Sequence, residues 1–113
     1  MSPTTTQTYE RRLQILRQRF IDGLPSRILL LEQQAIEFRA NGIDSDALAA
    51  IKHECHKLAG VAASFGFPDI GARAGEIDTA ISTGTMTRDE VTEALEDLMN
   101  QMEDLLDDTQ IDS

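Results

Sequence analysis

The 113-residue sequence has no tryptophan, one tyrosine, three prolines and a single cysteine, Cys55. One cysteine excludes an internal disulfide framework and fits a reducing compartment. Basic residues are few: ten Lys and Arg stand against 20 Asp and Glu, a formal net charge of −10. That balance argues against a nucleic-acid partner, which calls for a basic footprint. Long apolar runs are absent too. The longest uncharged stretch, Leu58 to Pro68, is too short and too glycine-rich to span a bilayer. The first residues lack a basic segment followed by an apolar one, so no secretory signal is expected. These absences lead to the expectation of a soluble, cytoplasmic chain with neither membrane nor nucleic acid as partner. What is present, 41% hydrophobic residues, suffices for the core of one domain.

The negative charge is unevenly placed. Residues 88–113 hold ten acids and one base, Arg88, a net of −9, which leaves −1 for residues 1–87. A solvated helix face and an acidic tail account for that segment without a special role.

Helical periodicity dominates the chain. Residues 2–8 are polar, carry Pro3 and have no apolar period, so residues 1–8 are expected to form a mobile leader. From Tyr9 to Leu24, Leu13, Leu16, Phe20 and Leu24 recur at helical spacing, and Gly23 with Pro25 interrupts. A second helix starts near Pro25 with Ile28, Leu31, Ala35 and Phe38 on one face, and stops at Asn41-Gly42. Asp44 or Ser45 can cap a third, whose apolar positions Leu48, Ile51, Cys55, Leu58, Ala62 and Phe65 are spaced 3, 4, 3, 4, 3. After a corner at Gly66 and Pro68, a fourth helix presents Ile70, Ala74, Ile77 and Ile81. Thr87 and Glu90 form a capping box for a fifth, lined by Val91, Leu95, Leu98, Met102 and Leu105. No segment alternates with a period of two. The fold class is therefore all-α: an antiparallel up-down four-helix bundle with an additional N-terminal helix. The bundle is expected over residues 9–108, with an acidic tail at 109–113.

The residues that carry chemistry lie off the core stripe. At about 100° per residue, His56 falls roughly 130° from the centre of the third helix's stripe and faces out. Lys52 precedes it by one turn, while Ala59, Gly60 and Ala63 keep its surroundings free of bulk. A glycine inside a helix costs about 1 kcal/mol relative to alanine. Gly60 either admits a neighbouring helix or clears a partner's path to the imidazole. Its place one turn after His56 favours the second. On the fourth helix, Asp78 shares a stripe with Gly71, Gly75 and Ser82. His56 and Asp78 are each 11 residues from position 67, so an antiparallel corner brings them level.

A carboxylate that accepts a hydrogen bond from Nδ1 fixes the imidazole tautomer and leaves a lone pair on Nε2. It also stabilises the cation formed when Nε2 attacks an electrophile. Such a histidine is a nucleophile for a phosphoryl group, and Lys52 and Lys57 can attract phosphoryl oxygens.

The run from His56 to Phe67 (His-Lys-Leu-Ala-Gly-Val-Ala-Ala-Ser-Phe-Gly-Phe), with Glu76-Ile77-Asp78 beyond it, resembles the signature of histidine-containing phosphotransfer (HPt) domains. Histidine, the glycines Gly60 and Gly66 and the corner all fall in register. The likeness covers roughly residues 20–106, including Leu24-Pro25 at the family's helix start. It implies a four-helix bundle that relays phosphoryl groups between response-regulator receiver domains, fed by a sensor histidine kinase, hybrid or otherwise. His56 then takes the phosphoryl group. Asp78 stands where members of the family carry Gln or Glu. The lysine frequent before the glycine is Ala59 here, and Lys52 or Lys57 takes its charge role. The receiver supplies the metal and the aspartate, and this chain has no cofactor, no metal and no kinase activity of its own. The docking surface expected lies on the second and third helices around His56, with Ala59, Gly60, Ala63 and Ser64 at its centre. The absence of a GxxxxGK-Ser/Thr phosphate loop agrees with this. The start at Met1 and the short leader suggest a free-standing shuttle, and a monomer is expected.

Two other readings are open to the sequence. His53, Cys55 and His56 are metal-ligand types close in sequence, but His53 and Cys55 point about 160° apart on one helix. A helical adaptor bundle with an incidental surface histidine is the broader alternative.

Overall fold

Several helix boundaries have a local cause. The computed structural model describes residues 5–43 and 45–111. Five helices and no strand occur among the described residues: α1 (Thr5–Asp22), α2 (Leu24–Asn41), α3 (Asp46–Ser64), α4 (Pro68–Thr83) and α5 (Arg88–Ile111). α3 ends where Gly66 turns left-handed, φ +87°. There the Phe67 amide donates to Ala62 O at 2.9 Å and the Gly66 amide to Ala63 O at 3.4 Å, the two bonds of a Schellman stop. Pro68 occupies the first turn of α4, where a missing N–H costs nothing. The capping box forms as spacing predicts: the Thr87 amide donates to Glu90 Oε1 at 3.0 Å and the Glu90 amide to Thr87 Oγ1 at 3.2 Å. Ser45 occupies the cap position of α3 without a side-chain cap hydrogen bond, and Asp44 lies outside the described residues.

α2, α3, α4 and α5 pack in a ring, each against two neighbours, with α3 and α4 in the most extensive contact. Short connections make the neighbours antiparallel. The predicted stripes line the interior: Ile28, Leu31, Ile51, Leu58, Ile77 and Leu98 are all buried. Cys55 is buried with them, and burial pushes its thiol up to about 12. It is a small core hydrophobe, on the opposite side of α3 from the exposed His53 and His56.

Three expectations need correction at the ends of the chain. The first helix begins at Thr5 and ends at Asp22, so residues 5–8 belong to it and not to a leader. Lengthening an existing helix needs no new nucleus, and mediocre helix formers such as Thr and Gln are carried along. Residues 1–4 lie outside the described part. α5 runs to Ile111, into the expected tail, because nothing between Arg88 and Ile111 is Gly or Pro; Asp112 and Ser113 lie outside. In α1, Leu16 is 38% exposed and Leu13 only half-buried, although both continue the core stripe. Gly23 keeps right-handed helical angles, φ −85° and ψ −8°, so α1 runs on from α2 almost end to end. Two such helices are about 55 Å long at 1.5 Å per residue, which accounts for the 60 Å long axis of the molecule. The bundle stops at the α3–α4 corner, and α1 projects past it.

Candidate functional site

The site begins with missing side chains. A Cβ placed on Gly71 of α4 would lie 3.1 Å from both Ala59 O and Ala63 N of α3, and one on Gly75 would lie 3.8 Å from Ala59 Cβ. Only glycine at 71 allows the two backbones to come this close. Ala59 is half-buried in that seam and Ala63 borders it, so these two small residues set the helix spacing.

One further turn along α4, Asp78 reaches His56 directly. Nδ1 of His56 and Oδ2 of Asp78 are 2.8 Å apart. The short aspartate suffices because the glycines below it hold α4 close. Lys52, one turn before His56 on α3, approaches the other oxygen of the same carboxylate, Nζ to Oδ1 3.2 Å. The carboxylate is 17% exposed and the imidazole 73%. The hydrogen bond from His56 holds the Asp78 carboxyl below its usual value, burial opposes this, and Lys52 adds to the lowering. An ionised carboxylate only accepts hydrogen bonds. Nδ1 therefore donates, and the lone pair sits on the exposed Nε2.

The sequence-predicted residues fall into two groups. His56, Asp78 and Lys52 form one connected network. Lys57 stands apart from it, its ammonium 3.6 Å from Glu54 Oε1. Gly60 is exposed, and a Cβ built on it meets nothing within 4 Å. No described helix packs against it, so close packing within the bundle does not require this glycine. Ser64 is exposed, with its hydroxyl donating to Gly60 O at 2.8 Å. Sequence reasoning missed the Lys52–Asp78 pair, although i, i+4 spacing puts Lys52 and His56 on one face. It also missed Arg73, which joins α4 to α5 through Glu76 (2.8 Å) and Asp97 (3.0 Å).

The geometry suits one kind of chemistry. A tautomer-fixed imidazole, 73% exposed and with a bare glycine alongside, can meet a reacting atom carried on another macromolecule. No group of three or more His, Cys, Asp or Glu suited to a metal ion occurs among the described residues. None of the described helices is long and apolar enough to cross a membrane. Comparison with known proteins gives one finding: the family model of the Hpt domain matches residues 15–111. No curated protein and no solved structure matches.

Proposed function

This chain belongs to the Hpt domain family, whose members serve histidine phosphotransfer in phosphorelays, and from that premise we propose that His56 carries the phosphoryl group between aspartates of response-regulator receiver domains. The single observation supporting this most strongly is the 2.8 Å contact from Nδ1 of the exposed His56 to Asp78. It leaves Nε2 as the attacking atom. Nε2 takes the phosphoryl group from a receiver's aspartyl phosphate: the N–P bond forms, the acyl phosphate P–O bond breaks, and the carboxylate leaves with the electron pair. Nδ1 keeps its proton, the ring becomes cationic, and the Asp78 carboxylate faces that charge. Transfer to a second receiver reverses the steps. Catalysis here is positioning and charge stabilisation.

Docking on α2 and α3 belongs to the same reading. Around His56, Gly60, Ala63 and Ser64 are small and exposed, and α2 exposes Leu29 and Leu30, whereas its exposed Ile36 faces a groove shared with Glu96 and Met99 of α5. A small-residue centre with apolar surface nearby suits a transient contact with a receiver or with a sensor kinase. Ala59 contributes from the seam, as a spacer. Lys52 and Lys57 supply positive charge next to the incoming phosphoryl oxygens, Lys52 from its place on Asp78. Cytoplasmic signalling follows from the same proposal.

Incubation with a phosphorylated receiver domain tests it. The expected result is an acid-labile, base-stable label on the chain. His56→Gln removes the label while far-UV circular dichroism stays helical. A label that survives this substitution, or no label from any receiver, defeats the assignment, the latter in favour of an adaptor bundle.

A further inference from the structure

α1 carries apolar surface that its own bundle does not cover. Its last turns are anchored at the α3–α4 corner: Phe20 stacks on Phe67 with ring centroids 5.2 Å apart, and the Arg17 guanidinium lies 5.1 Å from the Phe67 centroid. Before that anchor, Tyr9 is 66% exposed and Ile15 49%, with Leu16 also exposed. An isolated helix of this length is marginal in water, so a helix that projects with bare apolar residues points to something that covers it. α1 is also the basic part of an acidic molecule, with four arginines against two acids, a net of +2.

The complementary surface lies beside it. An open cleft of about 700 Å³ runs between the start of α4 and the last turns of α5. Phe67, Ile70 and Leu105 give it apolar lining, and Asp69, Asp104 and Asp108 give it negative charge. Arg73 answers two further acids of the cleft, Glu76 and Asp97. No ion pair among the described residues engages Asp69, Asp104 or Asp108, and none engages Arg11, Arg12 or Arg19. α5 as a whole holds nine acids against Arg88, a net of −8. The helix to be covered is thus apolar and basic, and the cleft is apolar and acidic.

We propose that the occupant of the cleft is α1 of a second copy of this chain, in a reciprocal two-fold dimer. Phe67 belongs to both features: it anchors α1 on one side and lines the cleft on the other. Helix and cleft therefore sit at the same end of the molecule. Two copies meeting at that end exchange helices, each satisfying the other, and the assembly closes at two. Tyr9, Leu13 and Leu16 enter the apolar part of the groove, while Arg12 and Arg19, which flank that face at about 100° per residue, meet Asp69, Asp104 and Asp108. This replaces the expectation of a monomer. The catalytic face, on the flank formed by α3 and α4, stays open to a partner.

Sedimentation equilibrium of the full chain tests the proposal. A mass near twice 12.5 kDa is expected at high protein concentration, and raising salt from about 0.05 M to about 0.5 M weakens association because the pairs are exposed. Arg12→Glu with Arg19→Glu, or Asp104→Lys with Asp108→Lys, each weakens self-association about tenfold or more. All four positions are exposed, so folding survives. Mixing the two doubly substituted chains restores association, since one interface of the mixed dimer keeps the native pairing of arginine with aspartate and the other pairs the introduced glutamates with the introduced lysines. A monomer up to about 1 mM overturns the proposal. So does a dimer indifferent to Asp104→Lys with Asp108→Lys, which would place the contact elsewhere. His56 labelling is read separately and is expected to persist in all these variants.

Discussion

α3 and α4 meet backbone to backbone, with Gly71 seated on Ala59 and Ala63, whereas α1 holds to the same bundle through Phe20 and Arg17 near its end. Both regions continue an apolar helical stripe. In the first, the stripe has a facing wall and small residues that fix its distance, and a hydrogen bond between side chains 22 residues apart forms at 2.8 Å. In the second, the wall ends and the stripe goes on. Periodicity says which face of a helix is apolar; a facing surface decides whether that face is buried. The His56–Asp78 contact, which depends on tenths of an ångström, sits in the region with the wall, where dense packing resists small displacements.

The largest expected effect breaks the first region. Gly71→Leu forces a Cβ to within about 3.1 Å of two backbone atoms of α3, which cannot swing aside as a flexible side chain would. Overpacking costs about 1–3 kcal/mol where side chains can adjust, and the helix-propensity gain offsets only about 1 kcal/mol. A net loss of roughly 2 kcal/mol or more is expected in urea unfolding, together with loss of phosphotransfer as Asp78 moves from His56. Leu16→Ala in α1, a large-to-small change of the same residue type, should cost about 0.5 kcal/mol or less in the monomer, in the range of surface substitutions. Equal costs at the two sites would remove the distinction.

Next in size is the carboxylate of that seam. Asp78→Asn keeps an acceptor for Nδ1 but removes the charge that faces the forming cation. If that charge is worth about 1.4 kcal/mol in the transition state, transfer slows about tenfold, in single-turnover labelling. The pH dependence has a definite sign. The folded carboxyl titrates below its ordinary value because His56 and Lys52 bond to its ionised form, so the unfolded chain binds more protons at acid pH. The stabilisation is present above the ordinary carboxylate pKa and is lost as pH falls through the lowered one. With His56 mostly exposed it amounts to about 1 kcal/mol or less. Acid unfolding of Asp78→Asn should show a correspondingly shallower dependence there.

How much of this was readable from the chain follows the same division. The α3 stripe, the corner at Gly66–Pro68 and the equal distance of His56 and Asp78 from position 67 are local patterns, and they place the two side chains level. The capping box at Thr87 and Glu90 is equally local. The actual spacing of α3 and α4 was not legible: the row Gly71, Gly75, Asp78 marks a close face, yet which glycine bears the tightest approach depends on helix rotation. Lys52 was expected to attract a partner's phosphoryl oxygens, and its link to Asp78 Oδ1 requires knowing where Asp78 sits. Leu13 and Leu16 misled because their spacing is correct and what is missing is the surface opposite them. The start of α1 at Thr5 and the run of α5 to Ile111 escaped because no breaker marks them and helix propagation needs none.

The smallest expected effect separates two glycines of opposite meaning. Gly60 and Gly71 both interrupt helices near His56, but a Cβ on Gly71 meets backbone at 3.1 Å and one on Gly60 meets nothing within 4 Å. Gly60→Ala should therefore stabilise the fold by about 0.5–1 kcal/mol, the helix-propensity difference alone, a shift of a few degrees in melting temperature. Gly60→Gln should also fail to destabilise, since glutamine is a good helix former, yet slow phosphotransfer by filling the space one turn from the imidazole. A stable but slow Gly60→Gln chain would mean that the open surface exists for an approaching protein. Loss of stability with unchanged transfer would instead mean that a neighbouring helix needs this glycine, and the contrast with the Gly71 seam would disappear.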